Sequence, residues 1–82
     1  MTPEHARDLI EQTLLDIVPD ADLSGLAPDD DIRENLELDS LDFVELVERL
    51  STHADYRIEE EDYSELRTMD SAVRFLAKHA AH

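Results

Sequence analysis

Ser40 is the residue best placed to take part in chemistry. It stands between Asp39 and Leu41, where an acidic, irregular stretch gives way to a run of apolar residues at helical spacing. A hydroxyl at such a junction is turned outward by the chain. A serine nucleophile needs a base beside it, and none of the nearby residues is a His or Lys. The surrounding carboxylates oppose forming an alkoxide. Ser40 therefore reads as a residue that is acted upon, and the plain alternative is an ordinary first-turn serine beside an Asp39 cap. A hydrolase built on Ser40 has no base to work with.

Two other groups have the residue types for chemistry. Asp20, Asp22, Ser24 and Asp31, with Gly25 between them, follow much of the spacing of a calcium-binding EF-hand loop. The twelfth position is Asp31 where a Glu is the better bidentate ligand. Pro19 breaks the chain just before the loop, Pro28 stands where the exiting helix should start, and no second loop follows to pair with it. The expectation is no metal site, with a calcium-responsive interaction protein using Asp20 to Asp31 as a rival reading. His5, His53, His79 and His82 are scattered and are expected at the surface.

The elements that position these residues follow from pattern. Thr2-Pro3 is a helix start, and Ala6, Leu9, Ile10, Leu14 and Ile17 continue at helical spacing until Pro19. A long acidic connection runs from Pro19 to Leu38, with a short turn of helix expected within Asp29 to Glu34. Asp39 caps the next helix, whose apolar face is Leu41, Phe43, Val44, Leu46, Val47 and Leu50 and which fades through Ser51 to His53. Tyr63 and Leu66 suggest a short helix. Thr68 caps the last, with Met69, Ala72, Val73, Leu76 and Ala77 inward and Phe75 flanking. Asp70 and Lys78 suit the helix dipole. No strand pattern or repeat is visible. The expected fold is all-α: one domain over 1–82, a small bundle of three main helices and one short helix with a long first loop.

Composition narrows function further. The chain has 82 residues, 22 Asp plus Glu against 7 Lys plus Arg, and a net charge of -15. Such a field repels nucleic acid and anionic lipid and favours partners with basic patches. No Cys is present, which removes disulfides, thiolate metal sites and a thiol nucleophile of the chain's own. No signal peptide or membrane span is read, and a cytoplasmic monomer is expected.

The stretch Leu36-Glu37-Leu38-Asp39-Ser40-Leu41-Asp42-Phe43-Val44-Glu45-Leu46 resembles the attachment motif of the acyl carrier protein family. Ile58 with the acids after it, and Leu66 to Asp70, resemble that family's downstream segments in the same register. The resemblance implies 4′-phosphopantetheine, donated by coenzyme A, esterified to Ser40 by a phosphopantetheinyl transferase, with Asp39 and Leu41 flanking the attachment. Its thiol would hold cargo as a thioester for acyl-loading and acyl-modifying enzymes of fatty-acid, polyketide or related lipid synthesis. The chain itself would not be an enzyme. An aminoacyl or peptidyl carrier, or an unmodified adaptor, is the alternative.

The resemblance also implies a docking helix for basic patches, through Asp42, Phe43, Glu45 and Glu48. By charge alone Asp42, Glu45 and Glu48, with Asp39, read as a solvated face, the usual meaning of such charges. It implies that cargo can tuck between helices at Ile32, Leu46, Leu50, Ile58, Tyr63, Leu66 and Ala72, which otherwise read as core. Several residues depart from the family pattern. Glu37 stands where Gly is frequent. Phe43 and Tyr63 stand where smaller residues are common. Arg49, Ser51 and Thr52 stand where acids are often kept. Tyr63 is expected to narrow the cavity, leaving cargo short, polar or outside.

Overall fold

Capping residues set the helix boundaries. In the computed structural model, which describes residues 1–80, the Thr2 hydroxyl accepts the His5 amide at 3.1 Å and opens α1, Pro3–Ile17. Asp31 accepts the Glu34 amide at 2.9 Å and opens α2, Ile32–Asn35, the helical turn expected inside the long connection. Asp39 opens α3, Ser40–Ala54, and Thr68 accepts the Ser71 amide at 3.1 Å to open α4, Met69–His79. The short element before α4 is a 3-10 helix, Glu60–Leu66, and a single 3-10 turn occupies Leu23–Gly25. The described residues form no strand; Asp31 and Thr68 make one isolated antiparallel bridge. The bundle of three main helices and one short helix is as expected.

α1 lies across both α3 and α4, and the 3-10 helix leans on α4. Ile10, Leu14, Ile32, Leu46, Leu50, Leu66, Met69 and Leu76 fill the shared interior and are almost completely buried. Phe75, expected to flank α4, is buried, whereas Val73 and Ala77 are only half-buried. Among the described residues the one buried polar side chain, Thr13, is satisfied by donating to the Leu9 carbonyl at 2.7 Å.

The long connection is held at both ends of its second half. The Ile32 amide donates to the Arg67 carbonyl at 2.8 Å, and the Asp70 amide donates to the Pro28 carbonyl at 3.0 Å. Arg67 also pairs with the Asp31 carboxylate at 3.2 Å. Leu26, Ile32 and Leu38 are buried along the same stretch. The segment before Ser40 is thus fastened to the start of α4 by backbone bonds as well as by apolar pins.

Candidate functional site

Ser40 is the first residue of α3, and its neighbours leave it little freedom. The Asp39 carboxylate accepts the Asp42 amide at 2.8 Å, and the Asp42 carboxylate accepts the Asp39 amide at 3.4 Å, a reciprocal capping box. Leu38 on one side and Phe43 on the other are both buried. Between these anchors the Ser40 hydroxyl is exposed and makes no hydrogen bond with the described residues.

Glu37 shows how the chain reaches this point. Its φ is +56°, in the left-handed region. The Leu38 amide donates back to the Arg33 carbonyl at 2.9 Å, the bond that closes α2 in a Schellman turn. This turn needs a left-handed residue, the conformation glycine adopts without strain. Here a glutamate adopts it, so the departure at Glu37 leaves the turn intact and places strain in it.

The surface around Ser40 combines apolar and acidic groups. Leu41 is 79% exposed and Val44 42% exposed, the two exposed large hydrophobic residues among those described. Phe43, expected at the docking surface, is turned inward instead: it is 6% exposed and meets Tyr63 edge-on at 5.3 Å between ring centroids. Val44 takes the outward place that Phe43 was given. Glu45 and Glu48 are exposed and Asp42 is partly so. Arg49 pairs with Glu45 at 3.6 Å and Asp16 at 3.9 Å, which softens the acidity of the helix's second half.

Beside Ser40 a cleft of about 460 Å³ opens between α3 and the 3-10 helix. Phe43, Val44 and Tyr63 line it, with Arg33 and Arg67. The Arg33 guanidinium lies over the Phe43 ring at 4.9 Å. Sequence reasoning missed both arginines. A signal was there for one: Arg33 is the only Lys or Arg between Arg7 and Arg49.

Of the positions expected to shelter cargo, Ile32, Leu46, Leu50, Ile58, Leu66 and Ala72 are buried together in the core. Tyr63 alone of the seven lines the cleft beside Ser40. Its ring, with Phe43, stands between that cleft and the core.

The remaining candidates are drawn into structural roles. The Asp22 carboxylate accepts the Ser24 hydroxyl at 2.6 Å and the Ser24 amide at 3.1 Å, and these bonds hold its pKa below the usual 3.8. Asp31 is likewise lowered, first by the Glu34 amide and then by Arg67. Three of the four calcium-type ligands, Asp22, Ser24 and Asp31, are therefore engaged within the chain. Among the described residues no three His, Cys, Asp or Glu gather as a metal site would require. His5 and His53 are exposed as expected, and His82 lies outside the described residues. His79 differs: it is half-buried, stacked on Tyr56 at 5.2 Å and tilted against Phe75 at 4.8 Å. Two aromatic rings from the α3–α4 side gave it an apolar partner that its sequence position did not advertise.

Comparison with known proteins identifies the family. Residues 7–76 match the family profile described as a phosphopantetheine attachment site. A curated acyl carrier protein of Rubrobacter xylanophilus is 34% identical over 76 residues, covering 89% of this chain and 94% of that protein. An exposed, unengaged serine at the start of a capped helix fits a cofactor bound through a phosphodiester, since such a link needs a free hydroxyl and room around it. The chain belongs to the acyl carrier protein family, whose cofactor is covalent 4′-phosphopantetheine.

Proposed function

We propose that Ser40 carries the phosphopantetheine and that this chain shuttles acyl thioesters between enzymes of fatty-acid, polyketide or related lipid synthesis. One observation supports this most: the exposed Ser40 hydroxyl, free of partners, on a helix fixed by the Asp39–Asp42 capping box. A phosphopantetheinyl transferase would supply the base. The Ser40 Oγ–phosphorus bond forms, the pyrophosphate bond of coenzyme A breaks, and adenosine 3′,5′-bisphosphate leaves. The terminal thiol then supplies the thioester chemistry that a chain without Cys lacks.

The chain's own part is presentation. Asp42, Glu45 and Glu48 attract basic patches on partner enzymes, chiefly speeding encounter and setting orientation. Leu41 and Val44 add an apolar contact beside Ser40. Weak, fast-releasing docking suits a monomeric carrier that visits several enzymes, and no described helix is long and apolar enough to cross a membrane. A cytoplasmic setting fits this role.

Incubation with a promiscuous phosphopantetheinyl transferase and acetyl-coenzyme A tests the reading. The expected product carries acetyl-phosphopantetheine, and neutral hydroxylamine removes the acetyl group alone. Ser40→Ala should take up neither. Modification that survives in the alanine variant would contradict the assignment.

A further inference from the structure

The cleft beside Ser40 is built for a ligand that is anionic at one end and apolar next to it. Its apolar lining is Phe43, Val44 and Tyr63. Its charged lining groups are Arg33, Arg67 and the Asp31 carboxylate, and the two arginines are unequal. Arg67 is occupied by Asp31 at 3.2 Å. Arg33 is not: it is the only arginine among the described residues with no carboxylate within 4.0 Å, although Asp and Glu number 22 in the chain. Arg7, Arg49, Arg57, Arg67 and Arg74 all pair. An unpaired guanidinium in so acidic a protein, held in place over an aromatic ring, has its donors free for an anion that is not part of the chain.

We propose that this cleft holds the phosphopantetheine arm folded back against the protein, with Arg33 on its phosphodiester and its gem-dimethyl group against Phe43, Val44 and Tyr63. The inference rests on attachment at Ser40. That attachment puts the phosphate at the cleft, because Ser40 is itself one of the lining residues. The order of chemistry along the arm, anion first and branched hydrocarbon next, matches the groups that surround the space. A volume of about 460 Å³ lies within the range of roughly 300–1,000 Å³ typical of sites for small organic molecules. The phosphodiester also adds negative charge to a chain already at -15, and Arg33, a cation lining the same cleft, offsets it locally. A carboxylate-ended cargo or an acidic partner side chain would use the same guanidinium but would leave the arm's methyl groups in solvent.

The test uses the chain loaded from coenzyme A labelled with ¹³C in the gem-dimethyl group, with complete loading verified by intact mass. In the loaded protein the two methyl resonances, already distinct in free coenzyme A because they stand beside a stereocentre, should both move upfield of their positions there, through the Phe43 and Tyr63 ring currents. Nuclear Overhauser contacts should link them to those rings. Arg33→Gln, at an exposed position, should load fully, keep the parent circular dichroism, and return both resonances toward the free-coenzyme position. Tyr63→Ala should lose the upfield shift with the mass gain retained. Full loading with coenzyme-like methyl resonances and no ring contacts would overturn the folded-back arm while leaving attachment standing. A folded chain that takes no mass at all would overturn attachment, and this inference with it.

Discussion

Replacing Glu37 with glycine should stabilise the protein, the reverse of what that change does at an ordinary position. Glu37 holds φ at +56°, and its left-handed turn closes α2 two residues before the Asp39 cap. A side chain in that region costs roughly 1–2 kcal/mol relative to right-handed backbone. Glycine removes that cost but raises the entropy of the unfolded chain, a loss of about 0.4–1 kcal/mol. The difference leaves a gain of roughly 0.5–1 kcal/mol, or several degrees in Tm for a domain of this size. Glu37→Ala is the control, because it removes the charge and keeps a Cβ. The comparison that matters is glycine against alanine. Urea unfolding followed by circular dichroism should place Glu37→Gly above Glu37→Ala by about that amount with an unchanged slope. Alanine more stable than glycine by about 0.5–1 kcal/mol, as at positions of negative φ, would refute the left-handed turn and the Schellman closure derived from it.

Further outcomes follow from the same structure. Leu46→Ala empties a site that is 1% exposed and should cost about 2–5 kcal/mol, a large part of the roughly 4–12 kcal/mol expected of 82 residues, so urea unfolding should begin at much lower denaturant. Asp31→Asn should show the pH signature of a carboxylate whose folded pKa is lowered. Its stability deficit should be constant above about pH 5 and shrink as pH falls below the usual 3.8 and through the lower folded value, where the parent's carboxylate also protonates. A deficit that grows in acid would contradict the Glu34 amide and Arg67 as its partners. Reversing Glu45 and Glu48 together to Lys should slow loading by a basic transferase roughly tenfold or more at low salt, and added salt should narrow the gap. An unchanged rate would remove these two acids from the docking surface.

The helices were legible because their signals are local. Thr2, Asp39 and Thr68 each cap the helix they precede, and the apolar spacing behind them marks the buried faces. Ser40 was legible for the same reason, as the residue after a cap. What depends on distant partners was not. The hold on the long connection lies in backbone bonds from Ile32 to Arg67 and from Asp70 to Pro28, which side-chain types do not announce. Phe43 sits one position from exposed Val44 on a single apolar face, and only packing against Tyr63 decides which of them turns in. The same packing across elements gave His79 its aromatic neighbours and placed Arg33 in the cleft. Glu37 was visible as a departure from the family pattern, and its positive φ shows that the turn is kept without the usual residue.

The most direct test of the account locates the phosphopantetheine within the chain. After loading from coenzyme A by a phosphopantetheinyl transferase, proteolysis and fragment-ion mass spectrometry should place the whole added group on Ser40, with Ser24, Ser51, Ser64 and Ser71 unmodified. The group found on another serine, or a folded chain that an active transferase leaves untouched, would contradict it.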